Sequence, residues 1–313
     1  MILAGLVAGT LAVLAAPAAA DTVAADALMA DVAALADDAM EGRRTASEGA
    51  ARARVYIAGR FAGLGLEAAE QRFTFTSRGA EPREGVNLVV RIAGAPGAGR
   101  GHIVVTAHYD HDGIRDGEIY NGADDNASGV AALLAIAAAL KASPPAHDVV
   151  LVALDAEEPV PGMFGARAYL AAPALPIGEI LLNINLDMVS RGDGGELWAV
   201  GASHRPALRP VLEAVAADDA PVPLSLGHDS GGGGEDWTLM SDHAPFHEAG
   251  IPFVYFGVED HADYHRPTDD AARIDPGFFA GSVATILAAL RAFDAAPERL
   301  AAARLEAAGE GGR

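Results

Sequence analysis

The sequence predicts an α/β fold: a single domain in which helices cover both faces of a mostly parallel, mixed central sheet. One observation behind this prediction is a series of short apolar runs, which are typical of strands buried on both faces. The other is the alternation of these runs with helical sequences, which favours parallel strands. The runs occupy residues 86–92, 103–107, 149–154, 180–186 and 251–256.

Helical periodicity appears before the first apolar run and between the second and third runs. The first helical stretch carries Leu28, Val32 and Leu35 at the spacing of one helix face, so it is predicted to pack against the sheet. The predicted helices occupy residues 25–40, 46–64 and 127–140.

The two ends of the chain are predicted to lie outside the folded domain, which spans residues 21–295. Residues 1–20 contain no charged side chain and end in Pro-Ala-Ala-Ala, the pattern of a signal peptide with its cleavage site. The lack of Lys or Arg in this segment leaves an uncleaved anchor as the alternative. No later segment is predicted to span a membrane. We therefore expect an exported protein, periplasmic or extracellular, with no stable membrane association after cleavage and a tail at 296–313 that frays.

Composition narrows the choice of partners and of metal ligands. The 313 residues carry a formal net charge of -21, which disfavours nucleic acid and anionic membrane surfaces as partners. The chain contains no cysteine, so disulfides, thiolate ligands and a cysteine nucleophile are excluded. Any bound metal must be held by His, Asp and Glu.

Three of the apolar runs are followed by side chains that can bind metal. His108 follows the second run, Glu157 and Glu158 follow the third, and Asp187 follows the fourth. Ligands bind at the carboxyl edge of open α/β sheets, where such residues would meet. Because all of these side chains are His, Asp or Glu, a metal site is favoured over a chance run of solvated residues.

The HYDH and GADDNASG motifs supply further candidates. Asp110 is expected to accept the second ring N–H of His108, although His-x-Asp alone is also found in solvated loops. In the second motif, a carboxylate in a tight turn could bridge two cations, and the alternative is helix capping by Asp125 or Asn126. The residues alone do not choose between Asp124 and Asp125 as the bridging group.

The DAEE and DYHRPTD motifs contain acids and a phenol that suit hydrolysis. Burying Glu157 and Glu158 after a strand requires a counter-charge, which a metal would supply. Metal-assisted hydrolysis also needs one acid to bind metal and another to take a proton from water. Tyr264 offers a donor to an oxyanion. His265 is either a ligand or an ordinary surface histidine.

In this order, HYDH, GADDNASG, DAEE, NLDM, SDHAPF and DYHRPTD resemble the di-zinc peptidases of metallopeptidase family twenty-eight. This family includes secreted bacterial aminopeptidases, glutamate carboxypeptidases and glutaminyl cyclases. The resemblance spans roughly residues 31–270, and the MEGRRTASEGA stretch is similar to the bacterial aminopeptidase branch. It implies a three-layer sandwich of the zinc-peptidase and phosphorylase type over the predicted domain.

The resemblance also implies a role for each matching residue. One metal ion would be held by His108 and Asp187, the other by Glu158 and His265, and both by Asp125, which the family pattern selects over Asp124. Glu157 would be the general base and Tyr264 the donor that polarises the substrate carbonyl. The residues expected to surround the ligands are Asp110, Asp242 and Asp269.

The expected function is therefore that of a zinc aminopeptidase with two zinc ions, or manganese or cobalt in their place, acting on peptide substrates. A glutaminyl-cyclase-like acyltransferase is an alternative, as is a metal-free binding module, although all five dinuclear ligands are retained. A glutamate carboxypeptidase should present basic residues to substrate carboxylates. Arg167 and Arg191 are the candidates for that role.

Overall fold

The structure is a computed structural model that describes residues 23–96, 101–159, 162–218, 220–229 and 235–310. The predicted signal peptide lies outside the described residues. The α/β prediction is confirmed: an eight-stranded, mixed sheet is flanked by helices, with strands in the order β1-β2-β6-β3-β7-β10-β8-β9. The strands of this sheet are β1 (Ala69–Phe75), β2 (Arg83–Ile92), β3 (His102–His108), β6 (Asp148–Leu154), β7 (Ile180–Leu186), β8 (Leu197–Val200), β9 (Leu224–Leu226) and β10 (Phe253–Gly257). A separate hairpin joins β4 (Gly113–Arg115) and β5 (Glu118–Tyr120).

Four parallel strands, β6, β3, β7 and β10, form the centre of the sheet. They correspond to four of the five predicted runs. The remaining run is β2, which pairs antiparallel with both β1 and β6. At the other side, β8 is antiparallel to β10 and parallel to β9. All seven residues of β3 are buried, as expected for a strand covered on both faces.

Helices pack on both faces of the sheet, and alternate residues of each central strand face opposite layers. In β3, Ile103, Val105 and Ala107 join the larger apolar core, whereas Val104 joins the smaller core on the other face with residues of α4 and α6. The helices are α1 (Ala25–Leu35), α2 (Glu48–Gly63), α3 (Gly129–Ala142), α4 (Phe164–Ala171), α5 (Arg209–Ala217), α6 (His243–Glu248), α7 (Pro276–Asp294) and α8 (Pro297–Glu310).

Two predictions about the ends of helical regions differ from the structure. The first helix ends at Leu35 and gives way to 3-10 turns at Asp38–Arg43, because Asp37 is extended and its side chain accepts the backbone N–H of Ala39, which starts the new turn. The C-terminal segment was expected to fray from residue 296, but helix α8 continues to Glu310. Its Leu300 and Ala303 are fully buried in the larger core, which stabilises the helix against fraying.

Two described helices are long and apolar enough to span a membrane by length and composition alone, contrary to the prediction that no later segment is. They cover Ala123–Ala142, which includes α3, and Pro276–Asp294, which is α7. Their apolar windows are 83% and 56% buried within the fold. Packing in the core accounts for their composition.

Candidate metal centre

The predicted metal-binding residues meet at the carboxyl edge of the four parallel strands. His108 is the last residue of β3, Asp187 follows β7 directly, and Glu157 and Glu158 lie three and four residues after the end of β6. His265 comes from the loop after β10. Because these strands run in the same direction, segments far apart in sequence converge on one edge, as the sequence predicts.

One group of donors forms around His108. Its Nε2 atom lies 3.2 Å from Asp187 Oδ1 and 3.4 Å from Asp125 Oδ1. All three side chains are buried, and one donor atom from each lies within 4.8 Å of the others. An imidazole nitrogen and two carboxylate oxygens at this spacing can hold a zinc-sized cation.

A second group forms on the other side of Asp125. The Oδ2 atom of this aspartate lies 3.2 Å from His265 Nε2, which in turn lies 3.6 Å from Glu158 Oε2. Asp125 therefore directs one oxygen toward each group of donors. This is the arrangement that a carboxylate bridging two cations requires.

The neighbouring Asp124 points away from both donor groups. Its Oδ1 accepts hydrogen bonds from the Ser190 hydroxyl at 2.6 Å and the Ser190 backbone N–H at 2.9 Å, and its Oδ2 lies 3.1 Å from His261 Nε2. The backbone of this turn is held by Asp269, whose carboxylate accepts from the N–H groups of Asp124 and Asp125 at 3.1 Å. Of these two aspartates, Asp125 is therefore the one that faces the two donor groups.

Asp110 supports the site in a different way from that expected. The second ring nitrogen of His108, Nδ1, lies 3.1 Å from the backbone oxygen of Asp110 and 3.8 Å from its carboxylate, so the backbone carbonyl is the closer acceptor. The carboxylate instead accepts from the backbone N–H of Glu157 at 3.0 Å and from the Thr45 hydroxyl at 3.0 Å. Asp110 therefore fixes both His108 and the segment that carries Glu157 and Glu158.

The two predicted catalytic side chains border the cluster. Glu157 and Tyr264 line a cavity of about 100 Å³ together with the ligand candidates. The rest of the cavity lining is mostly apolar or aromatic, with one acid, and consists of Met188, Trp237, Met240, Tyr255, Val258 and Asp260. Asp242 is fully buried at the start of α6, and neither of its carboxylate oxygens has a hydrogen-bond partner among the described residues.

Burial and mutual repulsion of the carboxylates make the cluster favourable for bound positive charge. Burial raises the pKa of Asp125, Glu157 and Glu158, and repulsion from neighbouring carboxylates raises each further. The pKa of Asp242 rises to about 8, chiefly through burial. For Asp187, burial also favours the neutral form, but attraction to His108 outweighs it and the pKa falls. So many buried carboxylates around two imidazoles make a site that bound cations would stabilise, and the residues present fit a metal pair.

Three residues that support the cluster were not assigned a role from the sequence. His111 places Nδ1 2.7 Å from Glu158 Oε1, and burial lowers its pKa to about 4, so the neutral ring donates its N–H to that carboxylate. Asp112 Oδ2 lies 3.4 Å from His265 Nδ1, where it can fix the tautomer of that ring. His111 is part of the HYDH motif, but only the folded chain shows what its side chain contacts.

Arg43 is the third residue without a predicted role. Its guanidinium is fully buried and donates to four backbone carbonyls, those of Leu35, Tyr109, Asn121 and Gly122, at 2.6–2.8 Å. It thereby ties the MEGRRTASEGA stretch to the segment directly after His108 and to the segment directly before the turn that contains Asp125. Burial lowers its pKa to about 10, against the attraction of Asp125 and Asp269.

The two arginines considered for substrate carboxylates have other partners. Arg167 pairs with Glu248 at 2.7 Å, and Arg191 pairs with Asp193 at 2.8 Å and Asp263 at 2.9 Å. Neither lines the cavity around the cluster. They therefore give no support to a carboxypeptidase.

Comparisons with known proteins relate the chain to metallopeptidases. A model of peptidase family M28 matches residues 87–298. Aminopeptidase YwaD of Bacillus subtilis is 32% identical over an alignment of 188 residues. The match covers 55% of this chain and 36% of YwaD, so it spans little more than a third of that curated relative.

Solved structures share the fold. The zinc aminopeptidase BSAP of Bacillus subtilis superposes with a TM-score of 0.71 at 18% identity, over 87% of this chain and 95% of that one. A glutaminyl cyclase of Porphyromonas gingivalis gives 0.73 at 21% identity, over 87% and 99% of the two chains. At these identities the likeness shows a common fold, and it includes proteins with two different activities.

Proposed function

The chain belongs to peptidase family M28, and we propose on that premise that it is a zinc-dependent aminopeptidase that removes N-terminal residues from peptides. The observation that carries the proposal is the position of Asp125. Its two oxygens face separate donor groups, with His108 and Asp187 on one side and Glu158 and His265 on the other.

Two zinc ions would be held by these five residues, with Asp125 shared between them. When bound, such ions lower the pKa of water and polarise a carbonyl oxygen. Manganese or cobalt could occupy the same nitrogen and oxygen donors. Retention of both donor groups favours an aminopeptidase over a cyclase that works with a single metal.

Glu157 and Tyr264 would perform the remaining steps. Glu157 takes a proton from the attacking water and later delivers it to the departing amine. Burial raises the pKa of the Glu157 carboxyl above its ordinary value, the direction that makes its carboxylate a stronger base. The Tyr264 hydroxyl donates to the carbonyl oxygen of the scissile bond as negative charge develops there. Asp260, on the wall of the same cavity, supplies negative charge for a free substrate ammonium group.

A substrate panel tests the proposal. Full-length protein loaded with zinc is assayed on aminoacyl-coumarin amides, N-acetylated versions of the same compounds, N-acetyl-Ala-Glu and a peptide that begins with glutamine. We expect hydrolysis of the free-amine compounds only, its loss in chelator and its return with zinc. Hydrolysis of N-acetyl-Ala-Glu would instead indicate a carboxypeptidase, and cyclisation of the glutamine peptide would indicate a glutaminyl cyclase.

The proposal includes export and action on extracytoplasmic peptides. It rests on the uncharged, apolar segment at residues 1–20, which ends in small residues. Expression of the full chain in a bacterial host, followed by fractionation and N-terminal sequencing, tests it. A mature protein that begins at Asp21 outside the cytoplasm supports export, whereas an intact Met1 on cytoplasmic protein contradicts it.

A further inference from the structure

A second cavity opens on the other side of Glu158. It has a volume of about 250 Å³ and shares only Glu158 with the cavity that contains Tyr264. Asp110, His111 and Glu158 form the wall next to the metal cluster. The basic part of the lining consists of Arg44 from the segment after the 3-10 turns, Arg78 and Arg83 from the β1–β2 hairpin, and Arg115. We call this cavity the arginine pocket.

The guanidinium groups of Arg44, Arg78 and Arg83 are not neutralised by acidic partners. None of Arg44, Arg78 and Arg83 forms an ion pair with a carboxylate among the residues that the structure describes. Arg83 donates from Nη2 to the Ser77 hydroxyl at 3.1 Å, and its Nε is buried without a hydrogen-bond partner. The chain has 43 acidic and only 22 basic residues. Three arginines without acidic partners on one cavity therefore indicate an anionic ligand.

Arg83 is held in place by its surroundings. It is the first residue of β2 and lies across the hairpin from Phe75, and its guanidinium sits 5.2 Å from the centroid of that ring. An ordered guanidinium loses less side-chain entropy when it binds an anion, so its position favours binding.

The carboxylates that line the same cavity do not cancel this positive charge. Asp110 accepts hydrogen bonds from Thr45 and from the Glu157 backbone. Glu158 accepts from His111 and faces the donor group proposed to hold a cation. Asp112, also on the lining, already pairs with Arg115. The negative charge of the pocket is thus committed to groups other than Arg44, Arg78 and Arg83.

We propose that the arginine pocket binds a carboxylate of the peptide substrate, and this inference rests on the proposed peptidase function. Guanidinium groups match carboxylates in geometry and bind them with paired hydrogen bonds. The volume is slightly below the range of about 300–1,000 Å³ typical of small-molecule sites, so the pocket suits one substituent rather than a long chain. That carboxylate belongs either to the C-terminus of a short peptide or to an Asp or Glu side chain.

Three matched substrate pairs separate these sources, all assayed with the zinc-loaded full chain. Ala-Ala is compared with Ala-Ala-amide for the C-terminal carboxylate. Ala-Glu-amide is compared with Ala-Gln-amide, and Glu-Ala-amide with Gln-Ala-amide, for the side chain on either side of the scissile bond. We expect kcat/KM of the anionic member to exceed that of its neutral partner by about tenfold or more in at least one pair, the effect of about one or two charge-assisted hydrogen bonds.

Variants then assign the preference to the pocket. The double variant Arg78→Gln, Arg83→Gln should reduce the anionic-to-neutral ratio to about 1 while changing kcat/KM of the neutral member by less than about threefold. Arg72→Gln is the matched control, because Arg72 lies on the same hairpin, is exposed and pairs with Glu70 and Glu84 outside the pocket. Equal rates within all three pairs, or a preference that survives the double variant, would overturn the inference while leaving the aminopeptidase proposal intact.

A binding measurement tests the arginine pocket even if the protein proves not to be a peptidase. If no peptide is hydrolysed, calorimetry with glutarate and its neutral diamide is performed on the zinc-loaded wild type and the double variant. Tighter binding of glutarate that is lost in the double variant would retain the pocket and reject the peptidase. Equal binding of the two compounds would reject the pocket.

Discussion

The buried guanidinium of Arg43 offers the sharpest test of how the site is held together. Arg43→Met keeps a long apolar side chain but removes the donors to four backbone carbonyls at 2.6–2.8 Å. Each hydrogen bond from a charged donor contributes about 1.5–3 kcal/mol, and relief of the cost of burying the charge offsets part of that loss. We expect a net destabilisation of about 3–5 kcal/mol, the usual cost of breaking a buried charged network.

Thermal unfolding followed by circular dichroism measures this loss. For a domain of this size, about 2–4 °C of midpoint corresponds to 1 kcal/mol, so Arg43→Met should unfold roughly 10 °C below the wild type. The unfolding midpoint of Arg43→Lys should lie between those of the wild type and Arg43→Met. One ammonium group cannot reach all four carbonyls that the planar guanidinium contacts. The exposed Arg72→Met is the control and should change stability by less than about 0.5 kcal/mol. An Arg43→Met midpoint within about 2 °C of the wild type would refute the reasoning.

Three further predictions follow from the site. Glu157→Gln should retain metal and fold but lower kcat about 10²–10⁴-fold, as measured by steady-state kinetics beside metal analysis; an active variant would reject Glu157 as the base. In metal-free protein, Asp242, with a folded pKa of about 8 against 3.8 unfolded, holds a proton on folding that the unfolded chain has released. The stabilising effect of this proton is thus present at low pH and is lost as the pH rises toward 8. Asp242→Asn should therefore reduce the fall in unfolding free energy between pH 5 and 9 by on the order of 2–4 kcal/mol. Parallel curves of unfolding free energy against pH for the wild type and the variant would contradict this. Gly122→Ala should lower the free energy of unfolding by several kcal/mol, because φ is +57° and the added Cβ would lie 2.1 Å from the Asp125 carbonyl oxygen. Gly59→Ala on the open face of α2 is the control and should be neutral or stabilising. Denaturant unfolding measures both.

The central strands and the residues that follow them could be predicted because both signals are local. A continuous apolar run identifies a strand buried on both faces, and a His, Asp or Glu directly after it lies at the carboxyl edge whatever the rest of the chain does. His108 and Asp187 are of this kind. Asp125 is not, since the choice between it and Asp124 depends on Ser190 and His261 as partners of Asp124, and these are distant in sequence.

Other features depend on contacts that no sequence window contains. Strands β1 and β9 are partly exposed and contain polar residues, so they lack a continuous apolar run, and the apolar run of β8 is only four residues long. Helix α8 is rich in alanine and charge, and its order comes from the burial of Leu300 in the core. The arginine pocket joins Arg44 to Arg78 and Arg83 across more than thirty residues. Basic residues near the motifs in sequence, Arg167 and Arg191, are instead paired with acids.

The position of β1 at the margin of the sheet affects how the protein can diversify. Among the described strands, β1 pairs only with β2, and the hairpin between them carries Arg78. Insertions or replacements at the tip of the β1–β2 hairpin would alter part of the lining of the arginine pocket. They would not shift the registers of β3, β6 and β7, which position the candidate metal-binding side chains. Mutations in this peripheral turn could therefore change which substrates bind, while the residues of the metal centre keep their positions in the interior.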